Sequence, residues 1–183
     1  YADVTAGNDV YVYGNDYATG VVAVGILGAT GDLDGDLEVI AYSYDGVGVD
    51  AFSDFGAASV NVDGDTFVYG FQYATGLSAV GYFGATITTG GDLTVDAVNQ
   101  DAYGAYAYGV FGDASVTLGG NTYVYGGDFA VGAASIAVFG DASTTANGNV
   151  NVFSFTDNGV GLAAISYLYD AYATLNGDMY VFA

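Results

Sequence analysis

The sequence contains no lysine, arginine, histidine, cysteine, proline or tryptophan. Each absence removes a class of chemistry. Without imidazole, thiol, amine or guanidinium there is no Ser-His-Asp triad, no Cys-His pair, no Schiff-base lysine, no thiolate or imidazole zinc site and no haem held by His or Cys. Nucleic acid is gripped through Lys and Arg contacts to phosphate, and anionic membrane surfaces attract the same side chains. A chain of net charge −21 with no basic side chain is repelled by both. The lack of cysteine excludes a small disulfide scaffold. No charge-free apolar run reaches the roughly 18 residues of a membrane-spanning helix. Glu38 is the only glutamate, so aspartate supplies nearly all of the 21 acids. The chain opens Tyr1-Ala2-Asp3, as expected of a mature product, a fragment or an internal segment.

What is present is glycine, alanine, aspartate, β-branched residues and tyrosine, in a 183-residue chain that is 52% hydrophobic. They are ordered with a period of 28. Gly20, Gly48, Gly76, Gly104 and Gly132 are each 28 apart, with Gly161 one residue late. Ala23, Ala51, Ala79, Ala107, Ser135 and Ala164 form a second column in step with them, and Leu27, Phe55, Phe83, Phe111, Phe139 and Leu168 a third. A fixed period in this range decides architecture before local propensity does. The chain divides as one repeat domain of units 1–28, 29–56, 57–84, 85–112, 113–140 and 141–169, with a half unit 170–183.

Each unit contains a turn signal, read at Asn8-Asp9, Gly35-Asp36, Gly64-Asp65, Gly91-Asp92, Gly120-Asn121, Gly148-Asn149 and Gly177-Asp178, residue pairs that tolerate positive φ. Alternating segments follow, such as Thr122-Tyr123-Val124-Tyr125-Gly126, and a period of two means strand. Odd units place Tyr11/Tyr13, Phe67/Tyr69, Tyr123/Tyr125 and Tyr180/Phe182 on the outward positions; even units place Glu38/Ile40, Thr94/Asp96 and Asn151/Phe153 there. A 56-residue double repeat therefore overlies the 28. Helix is disfavoured throughout, since strong helix formers are few and Gly and β-formers dominate.

These patterns predict an all-β parallel β-solenoid of about 28-residue coils, roughly six and a half in number, in which identical positions stack into ladders about 4.8 Å apart. In the unit after Gly91 the strands are expected at 93–98, 105–109 and 114–118, and Val39, Val68, Val95 and Val124 are expected to face the interior. The segment Asp101-Ala102-Tyr103-Gly104-Ala105-Tyr106-Ala107, with Gly112-Asp113-Ala114-Ser115-Val116-Thr117 behind it, resembles the repeats of autotransporter passengers and filamentous-haemagglutinin-like surface adhesins. The resemblance implies a β-helix at a bacterial surface. The competing architecture is an antiparallel meander closing into an outer-membrane β-barrel, which tyrosine-rich alternating segments also suit.

Two groups of residues stand out as candidate sites. Asp32-Leu33-Asp34-Gly35-Asp36 resembles part of a calcium loop, because alternating carboxylates around a glycine offer hard oxygen ligands. Asp32, Asp34 and Asp36 are thus candidate calcium ligands, with a solvated structural turn as the plainer alternative; the acid turn column they belong to would repel itself unless cations or salt relieve it. Catalysis is not expected, since no coil carries an asymmetric pair of carboxylates. The other group is Tyr11, Tyr13, Tyr180 and Phe182, which would meet if the first coil of one copy stacked on the last of another. The expected function is a structural subunit of an extracellular or cell-surface filament or matrix, its partner being itself, head to tail. The alternative is a rod-like adhesin that binds glycans or calcium-bridged surfaces.

Overall fold

The computed structural model describes all 183 residues as a three-sided coil of 20 strands with no helix. Three parallel sheets run its length. Sheet A contains β1(Ala2–Ala6), β4(Ala29–Leu33), β7(Ala58–Val62), β10(Ala85–Thr89), β13(Ala114–Leu118), β16(Ala142–Ala146) and β19(Ala171–Leu175). Sheet B contains β2(Val10–Gly14), β5(Leu37–Ala41), β8(Thr66–Gly70), β11(Leu93–Ala97), β14(Thr122–Gly126), β17(Val150–Ser154) and β20(Met179–Phe182). Sheet C contains β3(Ala18–Gly25), β6(Gly46–Ser53), β9(Ala74–Gly81), β12(Ala102–Gly109), β15(Ala130–Ala137) and β18(Gly159–Ser166). Every pairing is parallel and joins successive coils, for example Val95 with Val68 and Val124, and Ala79 with Ala51 and Ala107. The chain is a β-solenoid, and the antiparallel barrel is excluded.

Alternation of inward and outward residues builds the core. In sheet B one inward column is valine from Val12 to Val181, and Val39, Val68, Val95 and Val124 are fully buried. The inward edge of sheet A is alanine from Ala2 to Ala171, where only a methyl group fits beside the corner. Sheet C packs against both other sheets, which scarcely touch one another. The edge joining A to B therefore stands opposite the face of C.

Sheet C is longer than its sequence pattern suggests. The strand expected at 105–109 begins at Ala102 and runs through Gly104, because two successive residues, Gly104 and Ala105, both face inward. The same slip recurs at Gly48/Val49 and Gly76/Leu77. A Cβ on Gly104 would run into the carbonyl oxygen of Gly132 in the next coil, so the glycine column marks where the backbones of successive coils approach too closely for any side chain. The strand expected at 93–98 stops at Ala97, leaving Val98 exposed in the turn. Hydrogen bonding between coils continues round the corners: Gln100 N–H donates to Gln72 O at 3.1 Å and Phe111 N–H to Tyr82 O at 2.7 Å. With no proline, no corner lacks its donor.

Candidate functional site

The A-to-B edge is built by side chains as well as backbone. Asp36 N–H donates to Asp9 Oδ1 at 3.0 Å, Asp65 N–H to Asp36 Oδ1 at 2.8 Å, and Asp92 N–H to Asp65 Oδ1 at 2.8 Å. The ladder continues as Asn121 N–H to Asp92 Oδ1 (2.6 Å), Asn149 N–H to Asn121 Oδ1 (3.1 Å) and Asp178 N–H to Asn149 Oδ1 (2.9 Å). Each side chain fastens the next coil. The glycine before each of these residues except Asp9, which follows Asn8, leaves the space: a Cβ on Gly64 would lie 2.5 Å from Asp36 Oδ1. Positive φ is not the reason for it, because Gly84 is the only residue with φ in the left-handed half of the map. A shorter copy of the device sits on the C-to-A edge, where Asp141 N–H donates to Asp113 Oδ1 at 2.9 Å and Asp170 N–H to Asp141 Oδ1 at 3.1 Å. Sequence reading saw the column as a source of repulsion and missed the hydrogen bonds. The available signal was the interchange of Asp and Asn in one column, which keeps a carbonyl-type oxygen and disregards charge.

The calcium candidates fall within this scaffold. Asp32 lies on β4 and accepts from Asn61 Nδ2 at 3.0 Å; Asp34 is exposed in the turn; Asp36 holds the N–H of Asp65. No three acid side chains anywhere in the chain converge as a metal-holding group. Asp36 does help line an open groove of about 330 Å³ with Tyr11, Glu38, Phe67, Asp65 and Asp92.

The four assembly candidates lie on the outer face of sheet B and are each more than half exposed. Tyr11 and Tyr13 are on β2, Tyr180 and Phe182 on β20, the two outermost strands of the sheet. They stand at opposite ends of one molecule, in the same two outward columns. Setting β2 of a second copy beside β20 would continue both columns and place Tyr11 by Tyr180 and Tyr13 by Phe182. The chain contains its own precedent: Tyr125 and Phe153, neighbours in one of these columns, stack with ring centroids 5.0 Å apart and planes 4° from parallel. Tyr13 O–H donates to Glu38 Oε1 at 2.9 Å and Tyr11 O–H to Asp9 Oδ2 at 3.2 Å. These bonds to carboxylates, with the nearby negative charge, raise both phenol pKa values above their ordinary 10.0. Between Tyr69 and Tyr125 in the ladder, Asp96 is raised above its ordinary 3.8 by burial.

Comparison with family models, with curated proteins and with solved structures gives no match for this chain.

Proposed function

We propose that this chain is a structural rod which lengthens by stacking coil on coil, head to tail, as the subunit of an extracellular or cell-surface filament or matrix. The observation that carries the reading is the unbroken parallel stack of coils, in which Tyr11 and Tyr13 share their outward columns with Tyr180 and Phe182. At one end β1, β2 and β3, and at the other β18, β19 and β20, are each paired on one side only. Their free N–H and C=O rows all run in the parallel register of the sheets, and such an edge is a template for another strand. The body of the rod supports the same role, since every outward position belongs to a ladder and none of the three open surface grooves is an enclosed cavity. The location outside the cell follows from the resemblance to surface-adhesin repeats, and a chain without Lys or Arg offers trypsin-like proteases no site.

Sedimentation and electron microscopy of the purified 183-residue chain across a range of concentrations test the reading. Rods should lengthen with concentration in steps of about 30 Å, the height of one subunit's stacked strands, and Tyr180→Asp should shorten them. A stable monomer at high concentration would overturn end-to-end growth. The exposure of Tyr11 and Tyr13 favours a second reading, an adhesin whose aromatic rows stack on sugar rings; saccharide binding by the monomeric rod on a glycan array is its test.

A further inference from the structure

The outer face of sheet C is unlike the rest of this acid-coated rod. Each of its six strands sends three side chains outward, and Asp50 is the only charged one among them. Val24 is 62% exposed, Val22 47% and Ile165 45%. Eight residues of strand by six strands makes a plane about 26 Å by about 24 Å. That is roughly 600 Å², the top of the range for the largest apolar patch on a monomer. Two such faces together would bury about 1,200 Å², the low end of the range for specific protein interfaces.

The face has relief of a particular kind. Tyr103, Tyr106 and Tyr108 stand as a ridge on β12, while Thr75 and Ser78 of neighbouring β9 border it as a trough. The trough is an open groove of about 350 Å³ lined by Thr75, Ser78, Tyr103 and Tyr106. Ridge and trough lie on the two central strands of the sheet, whose order is β18-β15-β12-β9-β6-β3. A two-fold axis parallel to the strands, set in the interface plane between β9 and β12, exchanges one for the other. Each copy's tyrosine ridge then enters the other's trough, with the Tyr106 row over Ser78, and all six strands are covered.

We infer that two copies of this chain pair face to face through sheet C, two-fold related about the β9–β12 boundary. Charge opposes this pairing less than it opposes contact through sheet A or sheet B. Seven acids, among them Asp36, Asp65 and Asp92, lie in the turns of the A-to-B edge, opposite the face of C. Pairing through C holds the two A-to-B edges on the far sides of the dimer, well beyond the screening length of about 8 Å at physiological salt. The turns bordering C hold nine further acids, four on the C-to-A edge and five on the B-to-C edge, against eleven beside A and twelve beside B, so C is the face with the fewest flanking charges. The occupant is a second copy because a rigid sheet with the same coil spacing and a self-complementary ridge meets it without rearrangement, as sheets in a sandwich do. The pairing does not depend on end-to-end growth: growth lengthens a rod at constant width, and pairing doubles its width at constant length.

The test is sedimentation equilibrium of the full chain at low and physiological salt, with negative-stain measurement of rod width. The wild type should pair, and added salt should tighten the pair by screening the two net charges. Ser78→Asp, an outward position under the partner's Tyr106, should weaken pairing roughly a hundredfold by burying an unpaired charge. Thr117→Asp adds the same charge on the outer face of sheet A and should leave pairing within a few-fold of wild type. Asp50→Asn should tighten it. Circular-dichroism melts of each variant confirm that the coil is intact. Pairing unaffected by Ser78→Asp, lost equally with Thr117→Asp, or weakened by salt would overturn the inference, as would a wild-type monomer that instead floats with neutral phosphatidylcholine vesicles.

Discussion

Replacing Asp65 separates the two roles of the acid ladder. Asp65 Oδ1 accepts the N–H of Asp92, and its own N–H is held by Asp36 Oδ1, both at 2.8 Å. It thus stands between two like charges at the coil spacing. At about 4.8 Å and the dielectric constant of water, each pair costs about 0.9 kcal/mol, and screening at physiological salt reduces this to about half. Asp65→Asn keeps the accepting oxygen and removes both repulsions, so it should stabilise the rod by about 1 kcal/mol. Asp65→Ala removes the same repulsions but leaves the Asp92 N–H without its acceptor, a loss of about 1 to 1.5 kcal/mol, and should come out near zero or slightly unfavourable. A change of 1 kcal/mol moves Tm by about 2 to 4 °C in a domain of this size. Thermal melts of the three proteins at low, physiological and high salt measure both terms. The gain from Asn should shrink as salt rises, while the gap between Asn and Ala should hold steady. Equal melting of Asn and Ala at every salt concentration would refute the hydrogen-bond ladder as a stabilising device. A gain from Asn that does not fall with salt would refute the repulsion.

Asp96, whose pKa burial raises, binds its proton more tightly folded than unfolded. Its contribution to stability is therefore greatest below the ordinary 3.8 and falls as pH climbs through the raised value. Asp96→Asn should accordingly raise the urea midpoint at neutral pH and leave it unchanged in strong acid. Tyr13 is raised as well, chiefly by its bond to Glu38, so the stability tied to that phenol is complete below 10.0 and lost as pH rises through the folded-state value. Tyr13→Phe should remove one late-titrating phenol from the ultraviolet titration of the folded rod. Gly104→Ala should destabilise by about 1 to 3 kcal/mol, because the new Cβ meets the Gly132 carbonyl, which the sheet holds in place; an unchanged melt would mean that the sheet yields there.

Architecture was legible in the sequence because a solenoid writes its geometry into the chain. When each coil lies on the last at one spacing, the same position meets the same environment every turn. Val39, Val68, Val95 and Val124 could then be placed inside, and Ala51, Ala79 and Ala107 stacked, from periodicity alone. Tyr11, Tyr13, Tyr180 and Phe182 could likewise be put on the outer positions of end coils. Periodicity gives which residues align and says nothing of what lies between them. Whether stacked Asp36, Asp65 and Asp92 repel or bind depends on an N–H being within reach of each Oδ1, and the coil's corner geometry decides that. The inward slip at Gly104 and Ala105 escapes a period-two reading, since the close approach of the Gly132 carbonyl that leaves room only for glycine there exists only in the folded stack. The apolar face of sheet C is likewise a tertiary product. Tyr106, Ser78 and Ala134 lie a full coil apart in the chain, and folding sets them side by side on a face whose acids, Asp50 apart, are kept to the turns at its borders.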